Sequence, residues 1–146
     1  MLQKIKNDRF LQIVLGLALV LLVAAAAVFL TRHAGLAARR ASLLAKVETV
    51  WTREVEGEEN CYLKLTLQDG RMEYRFVSLA YPSLSETLFT YDYTAADEHT
   101  LRVTYPDGAL LDVTVSLNED ESELTFTPAV TVAEASETWT RETQKQ

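Results

Sequence analysis

The chain has 146 residues with 21 acidic and 14 basic side chains, a formal charge of −7, and a single cysteine, Cys61. One cysteine excludes an internal disulfide, which argues against a small disulfide-stapled secreted domain. Residues 1–40 hold six basic residues and one acidic, whereas residues 41–146 hold eight basic and twenty acidic. Nucleic acid would repel the acidic C-terminal part, so no nucleic-acid partner is expected.

The N-terminal part contains a long apolar segment. After a basic tail, 1–9, the segment 10–30 reads FLQIVLGLALVLLVAAAAVFL, with Gln12 as its one polar side chain and no charge. A helix of this length spans about 31 Å, close to the ~30 Å hydrocarbon thickness of a bilayer. A cleaved signal peptide is the alternative, because the alanines at 25–27 offer small residues for cleavage. The apolar run continues to Leu30, which favours a retained transmembrane helix and a lipid bilayer as partner.

The distribution of charge gives an expected orientation. Three basic residues precede the apolar segment and three follow it by residue 40, so the positive-inside rule alone does not decide. Basic side chains near the membrane are attracted by anionic headgroups, and the acidic C-terminal part is repelled by them. We therefore expect a single-pass signal anchor in the cell membrane, with the C-terminal domain extracytoplasmic.

Residues 31–47 are rich in Ala and Leu and contain no Pro, which predicts that the helix continues as a short amphipathic stalk. Its apolar face carries Leu36, Leu43, Leu44 and Val47. A break in the helix, if present, is expected at Gly35. The stalk is expected to pack on its own domain, and self-association through it is the alternative.

The pattern changes to strict alternation in the segment 48–142. Apolar side chains recur at every second position in 61–67, 72–76, 89–93, 101–105, 111–117 and 124–126, and Trp51 and Trp139 mark a first and a last strand. Asp-Gly at 69–70 and Pro-Asp-Gly at 106–108 are turn signals. About eight short strands predict a mainly β fold, an antiparallel up-and-down β-barrel or strongly curved sheet. A tail, 143–146, follows this domain.

The stretch LKLTLQDGRMEYRF and the strands from residue 87 to 129 resemble the lipocalin-like domains of small bacterial envelope proteins. In that family a Trp on the first strand packs against an Arg on the last and closes the barrel. Trp51 and Arg141 match this pair by position, although the family's Gly two residues before the Trp is Thr49 here. The resemblance implies a binding or interaction module without catalytic activity.

A barrel of eight strands has an interior just wide enough for its own side chains or one small ligand. The alternation predicts an apolar interior made by Leu65, Met72, Tyr74, Phe76, Phe89, Tyr91, Val103 and Val115. We expect these side chains to fill the interior. A pocket for a small apolar ligand is the alternative, and an envelope protein is the other expected class of partner.

No residue is predicted to be catalytic, to bind a cofactor or to bind a metal. His33 and His99 have no nucleophile or ligand set beside them in the sequence, and both are expected to be solvated. The acidic turn 118–121 lacks the alternating oxygen ligands and central Gly of a calcium loop. Cys61 is expected to be a small buried apolar residue on a strand.

A second class of function shares the layout of an apolar helix, a stalk and a β domain. Type IV pilin-like proteins have this order of elements, and their helices pack together in a filament. The family's processing site, a Gly followed by Phe, is absent, because residues 8–10 read Asp-Arg-Phe. The pilin-like assembly component is therefore the alternative to the anchored binding module.

Overall fold

The computed structural model describes residues 2–143, with side chains from residue 8 onward. The described residues contain one α-helix, α1 (Leu2–Val47), followed by eight strands. The chain divides into two units between Ala38 and Arg39, so the last nine residues of α1 belong to the same unit as the strands. Of the predicted tail 143–146, all but Thr143 lies outside the described residues.

Helix α1 exposes its apolar side chains along the predicted membrane segment. Fourteen large apolar residues between Phe10 and Leu30 are each at least 45% exposed. Exposed apolar area is unfavourable in water by about 25 cal/mol per Å², so this surface needs an apolar environment. By length and composition, α1 is the one helix in the described part of the chain that is able to cross a membrane. The helix runs through Gly35 without a break, since a single glycine is tolerated within a helix.

The strands form a closed antiparallel barrel. In chain order they are β1 (Val50–Val55), β2 (Glu58–Gln68), β3 (Arg71–Ser78), β4 (Glu86–Ala95), β5 (Thr100–Thr104), β6 (Leu110–Leu117), β7 (Glu123–Thr127) and β8 (Glu137–Arg141). Each strand pairs with its neighbours in sequence, and β1 also pairs with β8. The predicted mainly β class with an up-and-down barrel is therefore confirmed, and the sheet closes instead of remaining open.

Two tight turns show why the strands pair as they do. Asp69 and Gly70 join β2 to β3 with φ of 50° and 77°, which is the left-handed conformation that a two-residue hairpin requires. Gly108, at φ 85°, serves the connection between β5 and β6. The Asp69-Gly70 turn sets the register in which Leu65 pairs with Tyr74 and Leu67 with Met72, so the apolar side chains share one face.

The connections alternate between the two ends of the barrel. We call the end at which α1 leads into β1 the proximal end; it also holds the connections β2–β3, β4–β5 and β6–β7. The opposite, distal end holds the connections β1–β2, β3–β4, β5–β6 and β7–β8. A short 3-10 helix, η1 (Pro82–Leu84), lies within the β3–β4 connection.

Candidate functional site

The interior of the barrel is filled by its own side chains. Of the eight residues predicted to line it, six are buried: Leu65, Met72, Tyr74, Tyr91, Val103 and Val115. The aromatic side chains pack on one another, with ring centroids 5.4 Å apart for Tyr74 and Trp139 and 4.9 Å apart for Tyr91 and Tyr105. Such edge-on contacts are the favoured packing of aromatic rings in a core. The described side chains therefore occupy the space in which an interior ligand would lie.

Two of the eight predicted interior residues differ. Phe76 is partly buried, and Phe89 is 44% exposed, so the prediction that Phe89 lies inside is wrong. Phe89 pairs with the buried Tyr74 and so keeps the inward parity; the pairing of β3 with β4 shifts only beyond this pair, where Leu88 is left as an extra residue. Phe89 also stacks on Tyr91, at 5.8 Å between centroids, and its exposure follows from its place at the distal end of the barrel.

The end of α1 closes the proximal end. Leu43 and Val47 are buried in the barrel core, and Leu44 packs against it. The last carbonyls of a helix lack partners within the helix and need donors from elsewhere. Trp51 Nε1 donates to the Val47 carbonyl at 2.9 Å, and a terminal nitrogen of Arg141 donates to the Lys46 carbonyl at 3.0 Å. Two side chains from the barrel thus cap the helix.

Trp51 and Arg141 lie opposite each other where β1 pairs with β8. The guanidinium carbon of Arg141 lies 5.0 Å from the centroid of the Trp51 ring, within the range of a cation–π contact. Trp51 is fully buried. The structure therefore brings together the two residues that match the lipocalin pair, at the seam that closes the barrel; their role in stabilising closure stays a prediction.

A buried carboxylate holds the distal end closed. Glu137, 2% exposed, accepts hydrogen bonds from Tyr74 Oη at 2.9 Å, from the Val130 amide at 3.1 Å and from Thr131 Oγ1 at 3.2 Å. Tyr105 Oη donates to the Val130 carbonyl at 2.9 Å. These bonds fix the segment 128–136, whose Ala129 and Val130 are buried. The segment covers the distal end of the core.

The tyrosines of the interior are held in their neutral form. Burial, with the adjacent Glu137 carboxylate and its hydrogen bond, raises the pKa of Tyr74 far above its ordinary value. Burial and the hydrogen bond from its own hydroxyl to Glu48 also raise the pKa of Tyr93, at the proximal end. Burial raises the pKa of Tyr91 and Tyr105 as well. These phenols therefore act as hydrogen-bond donors and packing groups.

Sequence reasoning missed Glu137. The residue stands two positions before Trp139 and four before Arg141, so it has the parity of two side chains that point inward. This parity is the sequence signal that predicts an inward-pointing side chain at Glu137. A glutamate in a strand is normally assigned to the wet face, because an ionised carboxylate is costly to bury without partners. The partners come from β3 and from the segment 128–136, and the sequence does not place either beside it.

Neither the two histidines nor the cysteine takes part in the hydrogen bonds that close the two ends of the barrel. His99 is exposed and lies 3.5 Å from a carboxylate oxygen of Glu98. His33 stacks on Phe29, with ring centroids 5.2 Å apart. Cys61 is a free, partly buried residue of β2, and so is less buried than expected.

The exposed large apolar side chains of the barrel unit share one location. Among the described residues 39–143 they are Leu79, Tyr81, Leu84, Leu88, Phe89, Leu110 and Val132. Four lie in the β3–β4 or β7–β8 connections, and the other three, Leu88, Phe89 and Leu110, lie within the first four residues of β4 or β6, at the distal end. We define the distal rim as the four segments 54–60, 79–90, 105–110 and 128–137, which surround the distal end. The rim is the candidate functional site.

Comparisons of the chain with protein-family models, with curated proteins and with solved structures gave no match.

Proposed function

We propose that the chain is a single-pass protein of the cell envelope whose lipocalin-like barrel stands outside the cytoplasm as a binding or interaction module without catalytic activity. The observation that carries the proposal is the run of fourteen exposed large apolar side chains between Phe10 and Leu30, in a helix that leads into a closed barrel. A bilayer is the environment that makes this exposure favourable.

The charge of the barrel supports the proposed orientation. Segment 41–146 carries twenty acidic and eight basic residues, whereas six of the seven charged residues in 1–40 are basic. Anionic headgroups attract the basic residues of segment 1–40 and repel the acidic residues of segment 41–146. This repulsion disfavours contact between the acidic barrel and the headgroups, which leaves the barrel free to meet a partner.

The closed eight-stranded barrel and the contact between Trp51 and Arg141 support the lipocalin-like assignment. The filled interior favours a binding surface on the outside of the barrel over a ligand inside it. An envelope protein is accordingly the partner that we propose, in preference to a small apolar ligand.

Protease treatment of intact cells tests the orientation. Cells carry the protein with a C-terminal tag, and the membrane-bound product is sequenced from its N-terminus. Loss of the tag with an intact N-terminus supports an anchored external barrel. A tag that survives until lysis contradicts the external location. A matched protein with an N-terminal tag is the control, because that tag should be protected in the first case.

The N-terminal sequence of that product also distinguishes a retained helix from a processed one. A start after the alanines at 25–27 would mean a cleaved signal peptide, and a start within the first ten residues would mean the trimming that pilin-like assembly requires. No observation on the described residues 2–143 favours a pilin-like assembly component.

A further inference from the structure

The distal rim has an unusual combination of side chains. It carries seven exposed acidic residues, Glu54, Glu56, Glu58, Glu59, Glu86, Asp107 and Glu134. Its four segments contain no Lys, Arg or His. The same segments carry the seven exposed large apolar residues of the barrel unit. Arg53, next to Glu54, and Arg75, which pairs with Thr87, border the rim, so acidic side chains still outnumber basic ones where the apolar side chains are exposed.

The apolar side chains are presented by an ordered loop. Ser78, which is buried, accepts a hydrogen bond at its hydroxyl from the Tyr81 amide at 3.2 Å. Its own amide donates to Ser85 Oγ at 3.0 Å, and the Leu79 amide donates to the Asn60 carbonyl at 2.8 Å. A loop fixed in this way loses little conformational entropy on binding. The exposure of Leu79, Tyr81 and Leu84 thus belongs to a preorganised surface.

The negative charge of the distal rim makes some binding partners more favourable than others. A second copy would bring the same acidic rim, and like charges brought together cost free energy. An anionic bilayer would be repelled for the same reason. A segment with apolar side chains on one face and Lys or Arg around them matches both the apolar and the charged component.

We infer that the distal rim is a docking surface for a cationic amphipathic segment of a protein partner. The inference rests on the proposed function of the barrel as an interaction module and names the chemistry of its partner. Leu79, Tyr81 and Leu84 supply the apolar contact. Glu56 and Glu58, with Glu59, supply the charge that steers the partner and sets its orientation.

A binding measurement on the full-length protein tests the inference. The protein is held in nanodiscs of zwitterionic lipid on a sensor surface, and empty nanodiscs occupy the reference channel. The probe is an amphipathic helical peptide of about 18 residues made of Leu and Lys. The expected result is saturable binding above the reference, which weakens as ionic strength rises. A peptide with Glu in place of every Lys should not bind.

Two sets of variants separate the apolar and charged components. The pair Leu79→Ser and Leu84→Ser should weaken binding about tenfold or more, because two apolar side chains leave the contact. The triple variant Glu56→Gln, Glu58→Gln, Glu59→Gln should lower affinity by about threefold to tenfold and flatten its salt dependence. A matched triple variant at the proximal end, Glu98→Gln, Glu119→Gln, Glu123→Gln, should bind like the unchanged protein.

Each of the following outcomes would overturn the inference. Unchanged binding by both rim variants would remove the rim as the docking surface, and no binding above the reference would remove the proposed chemistry. Rim-dependent self-association in size-exclusion chromatography would assign the surface to a second copy. Rim-dependent flotation with vesicles of neutral lipid would assign it to a membrane. The purified protein is used throughout, so these results are independent of the orientation measured by proteolysis.

Discussion

The two ends of the barrel are closed by different means. At the proximal end, Leu43 and Val47 of α1 enter the core, and the closure is mainly apolar burial with two hydrogen bonds to helix carbonyls. At the distal end, the segment 128–136 is held by the polar network of one carboxylate, Glu137. Removal of a large apolar side chain leaves a cavity, whereas removal of one member of a buried polar network leaves its partners without hydrogen bonds. This difference predicts which substitutions at each end lower the stability of the barrel.

The largest effect is expected at the proximal end. Trp51→Ala should lower the free energy of unfolding by about 3–5 kcal/mol, because it empties a fully buried site and frees the Val47 carbonyl. Urea unfolding followed by tryptophan fluorescence measures it, since Trp139 remains as the reporter in the barrel. Thr52→Ala, at the neighbouring partly buried position, is the control. A loss below about 1 kcal/mol for Trp51→Ala would contradict a closing role for this side chain.

The distal network should come second. Glu137→Ala leaves Tyr74 Oη and the Val130 amide without their acceptor, which is expected to cost about 2–4 kcal/mol. Hydrogen exchange should show faster exchange of the Val130 amide and its neighbours before global unfolding. Glu134→Ala, an exposed carboxylate in the same segment, is the matched control. Equal protection in the two variants would mean that Glu137 does not hold the segment.

The two buried tryptophans allow a direct comparison of a side chain that has a hydrogen-bond partner with one that has none. Trp51 Nε1 donates to Val47, whereas Trp139 Nε1 has no hydrogen-bond partner among the described residues. Replacement by Phe leaves a similar void at each site, so the void contribution should nearly cancel. Trp51→Phe should therefore cost about 1–2 kcal/mol more than Trp139→Phe, for the lost hydrogen bond and cation–π contact. Equal costs in urea unfolding would remove the special role of Trp51.

High pH should weaken the barrel through its tyrosines. The folded state raises the pKa of Tyr74, while an unfolded tyrosine ionises near pH 10. Above that pH the unfolded chain releases a proton that the folded chain keeps, so stability is complete below about pH 10 and falls as pH rises. The expected slope is about 1.4 kcal/mol per pH unit for Tyr74.

Unfolding measured from about pH 9 to 11 checks this dependence. Tyr74→Phe and Tyr93→Phe should each flatten the slope, because at each position the folded chain keeps a proton that the unfolded chain releases. A slope that neither variant changes would exclude these two phenols as its cause.

The smallest effect is expected on the barrel wall, away from both ends. Arg102 and Asp112 form an exposed ion pair across β5 and β6, at 2.8 Å between Arg102 Nε and an oxygen of Asp112. The guanidinium lowers the pKa of the Asp112 carboxyl. Exposed pairs contribute little because water and salt screen them. Asp112→Asn should give a urea midpoint indistinguishable from that of the unchanged protein, and a clear shift would be evidence for a wider charge network.

The sequence predicted much of the fold because its patterns are local. Alternation of apolar residues and the Asp-Gly turn at 69–70 depend on neighbours in the chain, and they indicated the strand number and the up-and-down order. Phe89 has the inward parity that the alternation predicted, but it lies at the distal end of β4, where it is 44% exposed; how far the core extends toward that end is not a local property. The near-repeat of Trp-Thr-Arg-Glu at 51–54 and 139–142 lies on two strands that pair, although 88 positions separate them.

By itself, then, the sequence determined that a membrane-length apolar helix precedes an antiparallel β domain, because hydrophobic period and turn chemistry are read over a few residues. Tertiary structure alone decided that the sheet closes, that α1 and Glu137 close its opposite ends, and that the exposed apolar side chains gather at the distal rim. Each of these features joins residues that are distant in sequence. Their proximity depends on strand order and on the hydrogen-bond needs of buried groups, which composition and periodicity do not record.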